Sequence, residues 1–383
     1  MKIDYQVHDP LLSRLVELAQ QRPFYDQPNL GWITGNYLDK DYLRHLMTIG
    51  PGYGVKYIVF DDFNNGYFDW GRDLLKNPSV GNWLAESVCQ IEECGLHAGI
   101  LTEAKIPLRG WLAPVAVFTR KENVILDGIT TTAGRGQLPY LAIDTMIGQI
   151  EKKLLIRIDQ PGSCGPSLPF WANIFGISFR LFTGISDPVA IENEYAQICF
   201  GNVGPEIREA YHFARLAIQK SFWVFDAISM MDNGRWPENL QWFDNQIGAH
   251  PSLSNPTQKI LDKIDLEKIE ALEFAHDAWR VLTKIRPQVQ PEKFLWLEHY
   301  FLHLKIIALV LRTLADTYFS LRGLTRGSLK IPTHAMRSKF KVLTSLVREY
   351  PIVLSEFDAR TLQAGAGPLA TLLAQMGEKI TNL

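Results

Sequence analysis

An α/β architecture with a parallel sheet, followed by a mainly α-helical domain, is predicted by three observations. Short runs rich in Val, Ile and aromatic residues recur through the first half of the chain, and segments with apolar residues at helical spacing lie between them. After about residue 190 the strand-like runs stop. Strands apolar on both faces that alternate with helices are the mark of βα units. A chain of 383 residues exceeds what one core usually supports, so two domains are expected, over 1–190 and 191–383.

Taken in order, the first strand-like runs are LGWIT (30–34) and KYIVFDD (56–62), with helical DYLRHLMTI and the glycines of GPGYG (50–54) between them. Phosphate-cradling glycines follow a strand and open a helix. These do the reverse, so they read as a helix stop and a tight turn. HAGILTE (97–103) comes after helical NWLAESVCQIEECGL, and PVAVFTRKENVILDG reads as a local hairpin about RKEN whose second strand is NVILDGIT (123–130). Helical LPYLAIDTMIGQIEKK precedes KLLIRID (153–159), and ISFRLFT (177–183) is the last expected strand. Beyond it, PEIREAYHFARLAIQKSFWVFDAI, DLEKIEALEFAHDAWRVLTKI and PEKFLWLEHYFLHLKIIALVLRTLADTYFSLR place apolar residues at i, i+3, i+4 and i+7, the pattern of amphipathic helices. Pro205 and Pro291 stand where first-turn prolines belong.

The composition narrows the partners. Lys and Arg number 39 against 41 Asp and Glu, a net charge of -2. The chain therefore lacks the positive field of nucleic-acid or anionic-membrane binders, and neither partner is expected. MKIDYQVHDPLLSRL has no uninterrupted apolar region of the kind a secretory signal carries. The longest apolar stretch is broken by Lys305, Arg312 and Asp316, so it reads as a buried helix rather than a membrane span. A cytoplasmic location follows as the expectation. Cys89, Cys94, Cys164 and Cys199 lack CxxC spacing, so buried thiols in a reducing compartment are expected. His299 and His303 share a helix face, but no third ligand lies near them and their helix is apolar. They read as packed histidines, with no metal and no cofactor implied.

The strongest pattern is acidic. Asp61 and Asp62 close KYIVFDD, Glu103 closes HAGILTE, Asp127 falls near the end of NVILDG, and Asp159 closes KLLIRID. In a parallel sheet or barrel the carboxyl ends of all strands lie on one side, so these acids converge on one opening. Several carboxylates in one mouth suit glycosidic bond cleavage, where one protonates the leaving oxygen and another acts as nucleophile or activates water. Aromatic rings suit the apolar face of a sugar, and Trp70, Trp111 and Trp171 follow the acidic strand ends. Arg157 and Asp159 stand two apart on one strand side, so a pair there would hold Asp159 ionised, as nucleophile or base. Glu103, with only threonine as a polar neighbour, is the better acid, and Asp62 joins them as a catalytic candidate. Asp61, Asp127, Arg135 in TTAGRGQLP, and Arg157 are candidates for substrate binding.

LLIRIDQPGSCG, ISFRLFTGISDP and AIENEYAQICFGNVGPEIREAYHFA together resemble the end of a (β/α)8-barrel glycoside hydrolase of the α-glucuronidase-like kind, with the helical region that follows it. The likeness covers about residues 150 to 320. It implies a parallel (β/α) barrel, a carbohydrate ligand and strand-end acids as catalytic groups. Such a barrel needs eight strands and six are evident, so an irregular or incomplete barrel is the alternative. A non-catalytic carbohydrate-binding or scaffolding protein on the same architecture stays open beside the enzyme, and either a monomer or a homo-oligomer is compatible.

Overall fold

A computed structural model describes residues 10–21, 29–34, 40–61, 78–102, 116–119, 124–127, 153–157, 169–231, 236–237, 239–248, 250–351 and 368–383. The chain divides into two compact units, residues 1–129 with 138–201, and residues 130–137 with 202–383. The division falls later than residue 190 because the helix there is part of the first unit's packing.

In the first unit the described strands are β1 (Asn29–Thr34), β2 (Val55–Asp61), β3 (His97–Thr102), β4 (Ala116–Thr119), β5 (Val124–Asp127) and β6 (Lys153–Arg157). They form one sheet in the order β4-β3-β2-β1-β6-β5, with every pairing parallel. β1, β2, β3 and β6 carry buried residues at consecutive positions, Trp32 and Ile33, Ile58 and Val59, Ile100 and Leu101, Leu155 and Ile156, so both of their faces are covered, as in a parallel sheet. Ile33, Val59, Leu101 and Leu155 form an apolar cluster with Tyr57 packed against it. Trp32, one residue out of step with Ile33, is fully buried and packs on Tyr53 with ring centroids 5.4 Å apart. Gly31 makes the close packing possible: a Cβ there would lie 2.7 Å from Leu155 Cδ2.

The expected hairpin about RKEN does not form. β4 pairs with β3 and β5 with β6, which puts the two runs at opposite edges of the sheet. Only four residues separate Thr119 from Val124, a link whose reach is about 18 Å. The edges of a flat six-stranded sheet would stand about 24 Å apart. The sheet therefore curls, bringing its edges toward each other. A closed eight-stranded barrel is not present among the described residues, whose longer strands form one six-stranded parallel sheet.

The α-helices described in this unit are α1 (Pro10–Gln21), α2 (Lys40–Ile49), α3 (Pro78–Glu93), α4 (Pro169–Thr183) and α5 (Pro188–Phe200). ISFRLFT, expected as a strand, is the second half of α4. The whole segment PFWANIFGISFRLFT is apolar nearly throughout, and a helix buried on most sides shows neither period cleanly. GPGYG is a 3-10 turn with Gly54 in the left-handed region at φ 80°, where a residue without a Cβ is at ease. Asp187 caps α5 by accepting from Val189 N at 3.1 Å, and Pro188 occupies the first turn. Leu11 and Leu15 of α1 are fully buried, while Arg14 Nε reaches Glu194 Oε1 of α5 at 2.7 Å. Cys199 is buried but Cys89 and Cys94 are exposed, against expectation: Cys89 lies on a solvent-facing position of α3 and Cys94 in the turn just after it.

The second unit is helical: α6 (Gly204–Phe222), α7 (Leu240–Gly248), α8 (Pro251–Ser254), α9 (Gln258–Ile285), α10 (Pro291–Thr325), α11 (Thr333–Glu349) and α12 (Pro368–Thr381). The buried positions of α9 are Leu261, Ile264, Lys268, Ala271, Ala275, Ala278, Leu282 and Ile285. They alternate steps of three and four, a heptad seam. On α6, Ile207, Tyr211, Ala214, Ile218 and Ser221 follow the same rhythm. The two helices run antiparallel, since Phe213 stacks on Phe274 while Lys220 meets Glu270 at 2.6 Å. α10 is long and apolar enough to cross a membrane. Its buried residues include Phe301, Leu311 and Leu314, and it packs on α6, α9 and α11.

Candidate active site at the carboxyl edge of the sheet

All six strands end on a polar residue. From one edge of the sheet to the other these are Thr119, Thr102, Asp61, Thr34, Arg157 and Asp127. Because the strands are parallel, the six positions lie along one border. The ladder aligns Thr102 with Thr119, Asp61 with Leu101, Thr34 with Phe60, Arg157 with Ile33, and Asp127 with Arg157. Asp61 and Arg157 each stand two residues beyond a member of the apolar cluster, Val59 and Leu155. Adjacent strands are about 4.8 Å apart. Asp127 and Arg157 are thus neighbours, and Asp61 is two strands from Arg157, on the order of 10 Å along the sheet.

Of the sequence candidates, the described backbone brings Asp61, Asp127 and Arg157 to this border. Asp62, Glu103, Asp159, Trp70, Trp111 and Arg135 lie outside the described residues, although Glu103 directly follows the last residue of β3. Trp171 is not in a loop: it is the third residue of α4, because the apolar segment around it continues into that helix. Sequence reasoning missed Thr34, Thr102 and Thr119. The signal was available, since each is the first polar residue after an apolar run, but an acid announces itself more loudly than a hydroxyl.

The second unit holds its own charged groups, and they serve a different purpose. The ammonium of Lys268, in the α9 seam, donates to the carbonyls of Lys220 and Trp223 where α6 ends, and meets Glu267 Oε1 at 2.8 Å. Burial is the main cause that pulls its pKa down from 10.5 to about 8. Glu267 Oε2 accepts from Phe225 N at 2.9 Å. That amide sits at a tight turn in which Phe225 and Asp226 both have positive φ, 52° and 54°, between the two short strands Trp223–Val224 (β7) and Ile228–Ser229 (β8). Asp244 of α7 accepts from Tyr318 at 2.7 Å and from Arg322, both on α10. Arg322 also donates to Ser254 O. Burial and the Asp244 carboxylate push the Tyr318 hydroxyl well above its ordinary pKa.

His299 and His303 pack against each other with ring centroids 4.2 Å apart. Burial first, and the neighbouring His299 second, lower the pKa of His303 to about 4. Among the described residues no three His, Cys, Asp or Glu side chains gather as a metal site needs.

No protein-family model matches the sequence, and no curated protein matches it. Solved structures do match. One is a GH138 enzyme targeting pectin rhamnogalacturonan II, similar over 97% of this chain and 77% of its own, with a TM-score of 0.51 and 9% sequence identity. At that identity the likeness is one of fold, and the chain shares its architecture with a glycoside hydrolase.

Proposed function

We propose that this chain is a carbohydrate-active enzyme, a glycoside hydrolase whose catalytic groups stand at the carboxyl border of a curled parallel sheet. The observation that carries the reading is the border itself, where parallel pairing gathers Asp61, Asp127 and Arg157 from three strands. A shared architecture with an enzyme that acts on a pectin polysaccharide supports a sugar substrate. In this reading Glu103 is the general acid, Asp159 the nucleophile or base, and Asp62 a further catalytic carboxylate. Asp61, Asp127, Arg135 and Arg157 hold sugar hydroxyls or a carboxylate, and Trp70, Trp111 and Trp171 offer stacking faces. The wider expectation of a (β/α) barrel enzyme in the cytoplasm, with no metal or cofactor, belongs to the same proposal.

A screen of aryl glycosides and uronides tests it. Conservative Glu103→Gln and Asp159→Asn changes should lower turnover of the cleaved compound by about 10²- to 10⁴-fold, the usual worth of a positioned acid or base. The stereochemistry of the product then separates the two geometries: carboxyl groups about 5 Å apart retain configuration, and groups about 6.5 to 9.5 Å apart invert it. If no glycoside is cleaved while sugars raise the thermal stability, the enzyme reading falls and a binding protein takes its place.

A further inference from the structure

The charge of the chain is nearly balanced overall, yet between Asp316 and Glu349 the sequence holds no Asp or Glu. α11 occupies the second half of that stretch. Its buried residues are Met336 and Leu343; the helix packs on α10, and α12 lies beside it where Phe340 meets Gly377. His334, Arg337, Lys341, Ser345 and Arg348 recur at steps of three and four, and all five are exposed. At 3.6 residues per turn Arg337, Lys341 and Arg348 fall within an arc of about 40°, on the side away from the buried pair, and span about 16 Å. Lys339, outside this arc, meets Asp316 of α10 at 2.8 Å. Glu349 follows Arg348 and Glu378 is exposed on α12, but neither forms an ion pair with the stripe. Among the described residues Arg337, Lys341 and Arg348 meet no carboxylate. The last turn of a helix favours a cation, which accounts for Arg348. Arg337 and Lys341 have no such reason, and like charges four apart oppose the helix.

We propose that this stripe is a docking surface for an acidic polysaccharide, whose carboxylates meet Arg337, Lys341 and Arg348 and whose hydroxyls meet Ser338 and Ser345. The stripe follows from α11 alone; the choice of a sugar acid as its partner rests on the carbohydrate reading above. Charge density separates the candidates. Duplex DNA carries one charge per about 1.7 Å of its axis, far denser than three cations in a single file over about 16 Å, and the rest of the chain adds no positive field to help. A chain of sugar acids has one carboxylate per ring with hydroxyls between, which suits sparse cations flanked by exposed serines. A membrane-surface helix needs an apolar face turned outward. Here Met336 and Leu343 are buried, and Val342 is the one large apolar side chain of α11 that is exposed.

The test is calorimetric titration of the full-length chain with polygalacturonate, and with dextran, duplex DNA and phosphatidylserine vesicles beside it. Polygalacturonate should bind, more weakly as salt is added, and neutral dextran should not. Arg337→Gln combined with Lys341→Gln should lower that affinity about 10-fold, since an exposed ion pair is worth up to about 5-fold. Both side chains are exposed, so the thermal midpoint should hold. Arg337→Lys combined with Lys341→Arg keeps the charges and should keep the affinity. Lys259→Gln combined with Lys263→Gln removes the same charge from exposed positions of α9 and should leave binding as it was. Polygalacturonate that does not bind, or that binds the Arg337 and Lys341 double variant as tightly, overturns the proposal. So does an equal loss in the α9 variant, which would make the effect one of net charge, and so does tighter binding of DNA or vesicles, which would assign the stripe to another polyanion. On any small aryl glycoside that is cleaved, the Arg337 and Lys341 double variant should keep its turnover. If none is cleaved, the glycosidase reading fails while the titration still decides the stripe.

Discussion

The sheet of the first unit and the helices of the second treat charge in opposite ways. In the sheet unit, Asp61, Asp127 and Arg157 are kept out of the strand interiors and set at their carboxyl ends, where topology alone brings them together. The helical unit instead puts charge inside its packing and answers it on the spot. Lys268 is answered by two carbonyls and Glu267, and Arg322 by Asp244 and Ser254 O. A buried charge with all its partners at hand holds architecture together and has nothing left for a substrate. Charge gathered at strand ends is the kind that stays available for chemistry.

This contrast can be broken by experiment. The largest effect should come from the sheet unit and appear in rate alone: Glu103→Gln should lose turnover by the factor given above with the thermal midpoint unmoved. The mirror image is Asp244→Ala, which strips Arg322 and Tyr318 of their shared acceptor. Arg322 is only 6% exposed, and leaving such a charge uncompensated costs about 3 to 5 kcal/mol. Urea unfolding should report that loss, and kcat should hold wherever the protein is folded. A variant that kept its stability and lost its turnover would place the chemistry in the wrong unit.

The sequence made the sheet legible where runs were apolar on both faces, as in β1, β2, β3 and β6, and the runs of β2, β3 and β6 led into acids. It misled where local pattern and long-range pairing disagreed. The runs about RKEN have the spacing of a hairpin, yet each strand gains more by pairing with β3 or β6 than with the other, and no glycine favours a reversal there. ISFRLFT has the β-branched and aromatic residues of a strand, but its helix becomes visible only when the apolar residues before it are counted in. Of the border, the acids were legible and the threonines were not. The ladder partnership of Asp127 with Arg157 depends on register between strands far apart in sequence, which no local spacing encodes. In the helical unit the amphipathic periods were plain, while the place of Lys268 in the seam needed the end of α6 to explain it.

A third effect is a pH dependence confined to the helical unit. Lys268 has a folded pKa near 8, below the 10.5 of the unfolded chain. Below pH 8 both states carry the proton and the group adds no slope. Between about 8 and 10.5 the unfolded chain binds a proton that the native state does not, so stability rises with pH, by on the order of 3 kcal/mol in all. The difference between the unaltered protein and Lys268→Met, followed by denaturant unfolding from pH 7 to 10.5, should show that rise; a difference that is flat or falls removes the buried ammonium from the account.

Smaller effects return to the sheet unit. Gly31→Ala should cost about 1 to 3 kcal/mol, since its methyl group would lie 2.7 Å from Leu155 Cδ2, 3.3 Å from Tyr57 Cβ and 3.4 Å from Val59 Cγ2, so that Leu155 must shift to admit it. A calorimetric midpoint unchanged by that substitution would mean that the two strands are less tightly apposed than described. Smallest is Asp187→Ala, which removes the cap of α5 at about 1 kcal/mol.

Lys268 has one more consequence, which concerns what the helices would do without it. A seam of alternating three and four residues looks nearly the same after a slide of one heptad, and the alanines at 271, 275 and 278 do little to tell one alignment from the next. The lysine does. Its ammonium finds the carbonyls of Lys220 and Trp223 in only one alignment, and in any slipped one it would be buried against hydrocarbon with no acceptor. A polar residue within an apolar seam gives up some stability and in return forbids the near-degenerate packings. Lys268→Leu should accordingly yield helices that adhere as well as before yet no longer agree on where to stop, visible as doubled resonances for Phe213 and Phe274 where the native pair gives one set.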